Sequence, residues 1–248
     1  MQSKMRKQFI DAALILTAFT SVFLPPDIGQ LHMVVGFSFI VICLVHVFTY
    51  LNRAVVYAAA SFATGLVSEL YGVNYGIPFG AKYQYIGAAS TPMLFGAVPL
   101  NIPLLWLSLG YLALHLGRSF TCSFSWIPLS SLFLVFLDVM IDPVLNGRLW
   151  IWLTPGEFYG VPLLNFVGWF AVSALFYSVY HVLEGRPKSL SPAAIVAFVV
   201  IALNMAFANL VNGMWLATAV GLPPILIASA IALGRQVFRR KSDSTTVQ

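Results

Sequence analysis

Residues 124–146 read FSWIPLSSLFLVFLDVMIDPVLN: no lysine or arginine, an apolar run, then Asp138 and Asp142 four residues apart and directly before Pro143. A helix of about 20 predominantly apolar residues spans the hydrocarbon core of a bilayer. The whole chain shares this character, with 60% hydrophobic and 8% charged residues and a mean hydropathy of +0.89. Soluble domains carry about 25% charged residues. The 248 residues therefore predict a polytopic integral membrane protein with no separate soluble domain.

The apolar runs are continuous rather than alternating, which predicts an all-α bundle and not a β-barrel. Runs bounded by Pro, Gly, Asn and charge place eight spans at 8–24, 28–50, 54–72, 99–117, 124–145, 163–183, 193–211 and 213–234. Pro223-Pro224 implies a kink in the last. The first segment, KMRKQFIDAALILTAFTSVFLPP (4–26), mimics a signal peptide, but Asp11 interrupts it and no small-residue cleavage site follows. It is expected to remain as a first helix. The domain is expected to cover 1–238, with a basic, disordered cytoplasmic tail at 239–248.

Eight spans force the loops to alternate sides. Lys4, Arg6, Lys7, Arg53, Arg118, Arg186, Lys188, Arg235, Arg239, Arg240 and Lys241 then share one side, and Lys82 and Arg148 the other. Cytoplasmic loops carry the excess of Lys and Arg, so both termini are expected in the cytoplasm of a multi-pass protein of the cell membrane. The formal net charge of +5 is thus topological and does not signal nucleic acid. Cys43 and Cys122 have no metal or redox spacing and read as free thiols.

Two long loops face the other side: NYGIPFGAKYQYIGAASTPMLFGAV (74–98) and NGRLWIWLTPGEFYGVP (146–162). Both are aromatic and rich in Gly and Pro, as in segments that sit at the headgroup level or dip back into protein, and they could form a lid over a site opening to that face. Tyr75-Gly76-Ile77-Pro78 and Tyr159-Gly160-Val161-Pro162 echo each other, which admits a parallel helix-loop-helix repeat.

Asp27, Glu69, Asp138, Asp142 and Glu157 map to this same outer side; Asp11, Glu184 and Asp243 map toward the cytoplasm. A carboxylate inside a span is costly and marks a functional candidate. Asp138 and Asp142 share one helix face. Two like charges so close in a low dielectric do not both ionise cheaply, so one is expected to hold a proton. Glu69 lies at the equivalent end of the third span. Acids kept protonated in an apolar site suit proton donation to a weak base. The plainer roles are a turn cap for Asp142, a structural hydrogen bond for Asp138 and snorkelling for Glu69.

Other chemistries lack their residues. A diphosphate site of the prenyltransferase kind needs a second acidic motif, and none is present. His32, His46, His115 and His181 are isolated, so a membrane di-iron centre has no ligand set, although His32 could join the acids. No GxGxxG or P-loop signals a nucleotide.

The motifs SELYGVNYGIPFGAKYQY (68–85), VPLNIPLLW (98–106), LDVMIDPV (137–144) with LWIW (149–152), and FYGVPLLNFVGWF (158–170) occur in this order. Over residues 60–185 the chain resembles the membrane carotenoid-biosynthesis family that includes carotenoid 1,2-hydratases of bacterioruberin and myxol-type pathways. The resemblance implies hydration of the terminal C1–C2 double bond of an acyclic carotenoid to a tertiary alcohol, with no metal or organic cofactor. The implied partners are that carotenoid, water, the bilayer and other enzymes of the pathway. It makes Asp138, Asp142 and Glu69 the catalytic candidates. Tyr75, Tyr83, Tyr85, Trp152, Tyr159, Asn165 and Trp169 become substrate contacts, with Trp150 in the same aromatic group. Aromatic faces on that side can stabilise a cation. The competing readings are an isomerase or cyclase acting on the same end group, and a carotenoid-binding or transport protein.

Overall fold

The computed structural model describes the backbone of residues 2–23, 30–86, 91–183, 185 and 187–245, and their side chains except at 2–3, 21–23, 30–33 and 238–245. The sequence readings for Asp27, Glu184, Arg186 and the side chains of His32 and of the tail from residue 239 fall outside the described residues. Eight helices occupy the eight apolar segments: α1 (Gln2–Phe23), α2 (Gln30–Tyr50), α3 (Ala54–Tyr75), α4 (Asn101–Arg118), α5 (Trp126–Leu145), α6 (Leu163–Val182), α7 (Pro192–Val211) and α8 (Trp215–Thr245). Among the described residues five of these contain a stretch long and apolar enough to cross a membrane: Ala54–Tyr75, Trp126–Leu145, Leu163–Val182, Pro192–Val211 and Trp215–Val237. This is a membrane protein. Helix α4 is buried from Trp106 to Gly117. It faces protein all round, so it can carry Ser108, Tyr111 and His115 where a lipid-facing helix would need apolar side chains.

Local chemistry sets several ends. Ser191 caps α7 by accepting the Ala194 N–H at 3.3 Å, with Pro192 in the first turn where its missing N–H costs nothing. Helix α3 stops at Gly76, which takes the left-handed conformation (φ 78°) and returns its N–H to the Gly72 carbonyl. Pro143 does not end α5, which continues to Leu145. From α7, Asn209 Nδ2 donates to the neighbouring Met140 carbonyl at 2.7 Å.

Helix α5 is the most enclosed of the apolar five and packs against α4, α6, α7 and α8. Helices α3, α4, α5 and α6 form a ring of adjacent pairs. Helix α1 lies against α2 and α7 on the outside.

The bundle is all-α as expected, and among the described residues its loops also carry four short strands. Strand β1 (Tyr83–Tyr85) pairs antiparallel with β4 (Trp150–Trp152), matching Tyr83 with Trp152, Gln84 with Ile151 and Tyr85 with Trp150. Strands β2 (Met93–Leu94) and β3 (Val98–Pro99) form a small antiparallel pair before α4. The Tyr-Gly-x-Pro echo is not a structural repeat: the first copy follows α3 and precedes β1, whereas the second follows β4 and leads into α6.

Candidate active site

The β1·β4 ladder gathers the acids. Side chains alternate faces along a strand, so Tyr83 and Tyr85 lie on one face with Trp150 and Trp152, and Gln84 and Ile151 point away. On the inner face, Tyr83 Oη and Tyr85 Oη each donate to Glu69 Oε2 at 2.5 Å, and Trp150 Nε1 donates to Asp142 Oδ1 at 2.7 Å. The ladder thereby ties the acid of α3 to the acids of α5. Burial, and then the Glu69 carboxylate beside them, push both phenols well above their usual range, so each stays a hydroxyl donor.

Helix α6 supplies the link within the acid pair. Asn165 Nδ2 donates to Asp138 Oδ2 at 2.9 Å and to Asp142 Oδ2 at 2.5 Å. Asp138, Asp142, Asn165 and Glu69 are 0%, 2%, 2% and 6% exposed, so water screens none of them. Among the described residues Asp138 Oδ1 is buried and has no hydrogen-bond partner. Asp142 is not a turn cap: its carboxyl is taken up by side chains from β4 and α6. Trp152 Nε1–H lies near Asp142, yet among the described residues it meets no acceptor in hydrogen-bonding geometry.

Glu69 is held differently. Besides the two tyrosines, Trp106 Nε1 donates to its Oε1 at 2.8 Å, so three donors converge on one carboxyl. Trp106 stacks on Trp169, ring centroids 4.0 Å apart, and Phe79 stacks more loosely on Trp106 at 6.5 Å. Close packing permits this. A Cβ on Gly65 would meet Trp106 at 2.9 Å, and one on Gly72 would meet the Tyr83 hydroxyl at 2.6 Å. Trp106 is the residue that sequence reasoning left out, although it closes the motif VPLNIPLLW.

The sequence-derived candidates Glu69, Asp138, Asp142, Tyr83, Tyr85, Trp152, Asn165 and Trp169 come together, with Trp150 among them. Two others stand apart. Tyr75 is 67% exposed beside Tyr71. Tyr159 adopts φ 53° and accepts the Leu216 N–H at 3.3 Å, tying its loop to the start of α8. Glu157 is exposed and accepts the N–H of Leu163, the first residue of α6, at 3.3 Å. A carboxylate there suits the positive end of the helix dipole. Among the described residues no group of three or more His, Cys, Asp or Glu is placed to hold a metal ion.

A family model described as carotenoid biosynthesis protein matches residues 28–232, most of the chain and all of this site. The chain belongs to the carotenoid biosynthesis protein family. A bisanhydrobacterioruberin hydratase from Haloarcula japonica is 37% identical over 107 residues, a match covering 41% of this chain and 36% of the relative. The chain thus aligns with little more than a third of that protein's length. No solved structure matches. For a carotenoid biosynthesis protein, the cluster offers three carboxyls and an aromatic wall within an apolar bundle. Buried carboxyls of this kind can hold and supply a proton away from bulk water.

Proposed function

We propose that this chain is a hydratase acting on the terminal C1–C2 double bond of an acyclic carotenoid. The observation that carries the reading is the acid pair: Asn165 fixes one oxygen of each carboxyl, and Asp138 Oδ1 is left buried and unpartnered. That oxygen is the one free to carry a proton toward a substrate that offers no hydrogen bond. Asp138 donates the proton and the π pair forms the C2–H bond, leaving a tertiary cation at C1. Water attacks C1, and its surplus proton returns to the Asp138 carboxylate. The step balances with water as the sole co-substrate and no change of oxidation state overall. Asp142, held by Trp150 and Asn165, is the anion beside the acid. The name of the Haloarcula relative favours hydration over loss of a proton, which would end in isomerisation or cyclisation.

The proposed arrangement is one membrane domain with eight spans in the cell membrane. Both termini are cytoplasmic, and the β1·β4 ladder covers the site on the opposite face. The charge distribution supports it: the two lysines or arginines assigned to the outer loops are Lys82 and Arg148.

Co-expression with an acyclic carotenoid pathway in heavy-oxygen water tests the reaction. The expected pigment gains one water carrying the label. A pigment rearranged at unchanged mass would identify an isomerase or cyclase, and an unaltered pigment a binding or transport protein.

A further inference from the structure

The hydration scheme uses Asp138 and Asp142 and leaves Glu69 without a chemical step. Its geometry is that of a fixed acceptor. Tyr83, Tyr85 and Trp106 all donate to it, and neither of its oxygens is unpartnered as Asp138 Oδ1 is. One of the three donors leads somewhere. Trp106 is 1% exposed, with Phe79 at 6.5 Å and Trp169 at 4.0 Å, the ring planes inclined by 26° in each stack. Trp169 is half-buried and forms the outer leaf of this stack. It follows Asn165 by four residues on α6, so it lies on the same helix face, one turn deeper than the amide joining the two aspartates. Asp138 likewise lies one turn deeper than Asp142 on the antiparallel α5. Trp169 and Asp138 therefore both lie deeper in the bundle than the contact between Asn165 and Asp142.

The neighbouring aromatics are engaged otherwise. The polar atoms of Tyr83, Tyr85 and Trp150 are committed to carboxyls, and Trp152 lies against Tyr83 with ring centroids 4.8 Å apart. An indole is the strongest of the aromatic faces for a cation, and a ring face cannot capture the cation as a nucleophilic oxygen would. Donation from the Trp106 N–H to an anionic carboxyl raises electron density in that indole, and hydrogen-bonded groups polarise one another in a low dielectric.

Resting on the hydratase reading, we propose that Trp169 is the catalytic ring that faces the C1 cation. Trp106, pinned by Glu69, is the positioning residue that holds Trp169 and enriches the stack behind it. Glu69 is a permanent counter-charge and not a proton donor.

The test is a series of mono-, di-, tri- and tetrafluorotryptophan placed at position 169 of the full chain by nonsense suppression, assayed in membranes with an acyclic carotenoid in heavy-oxygen water. Fluorine withdraws π density at nearly constant size. The expected result is a stepwise fall in log kcat with each fluorine, roughly 10- to 30-fold across the series, with KM unchanged within about twofold. Trp106→Phe keeps a ring and removes the N–H; kcat should fall with KM unchanged and the same labelled product. Labelled product with a kcat flat across the fluorine series overturns the role of Trp169 and leaves hydration standing. A flat kcat in Trp106→Phe overturns the role of Trp106. Absence of label with the unsubstituted chain overturns the reading on which both rest.

Discussion

Asp138 differs from Asp142 in one respect on which the proposed reaction turns. Asp142 has donors on both oxygens, from Trp150 and Asn165, whereas Asp138 has a donor on Oδ2 and none on Oδ1. Asp138→Asn is nearly isosteric and removes the transferable proton, so it should lower turnover about 10²- to 10⁴-fold with normal accumulation of the protein in membranes. Pigment analysis in the co-expressing strain reads this directly, and full hydration by the variant would contradict the assignment. The aspartates were legible because their spacing puts both on one face of an apolar helix. Asn165 was legible through the motif that contains it. Trp106 was not, because a tryptophan within a helical run carries no signal of its own, and its partner Glu69 lies 37 residues away.

At the level of elements, the non-local pieces escaped the sequence. Strands β1 and β4 are three residues each, with no shared turn to announce them. Their pairing joins two different inter-helix loops, so nothing local encodes the register. Helix α1 gives a second case. The sequence treated His46 as a lone histidine, yet its Nε2 meets Asp11 Oδ1 at 2.9 Å, its Nδ1 meets Tyr111 Oη, and Tyr50 Oη donates to Asp11 at 2.8 Å. Asp11 therefore fastens α1 to α2. Asp11→Ala would leave the His46 and Tyr50 donors without that acceptor, at a cost of about 1–3 kcal/mol. Cys43 is buried three residues before His46 on the same helix face, and Cys122 is exposed. In the variant, thiol labelling of Cys43 should accelerate relative to Cys122; an unchanged ratio would show that α1 stays seated without the pair.

For the whole molecule, the apolar runs were sufficient to place the eight helices, because burial in lipid or in a bundle imposes long uninterrupted apolar stretches that a local window detects. The fifth predicted span at 124–145 and α5 at Trp126–Leu145 end on the same residue. What the runs could not convey is which helix is central. Helix α4 carries His115 and Arg118 yet is almost wholly enclosed, and enclosure depends on neighbours. The proposed orientation makes its own prediction. Single cysteines at Lys82 and Arg53, in a background lacking Cys43 and Cys122, should differ on intact cells. A membrane-impermeant maleimide should label position 82 and spare position 53; the reverse pattern would invert the topology.

The central proposal is that the buried acid pair adds water across a terminal carotenoid double bond. Membranes carrying the chain, supplied with preformed unlabelled acyclic carotenoid in water heavy in both hydrogen and oxygen, provide the most direct measurement. The pigment should acquire one non-exchangeable deuterium at C2 and one heavy oxygen at C1. Deuterium without oxygen, or neither label, would contradict hydration.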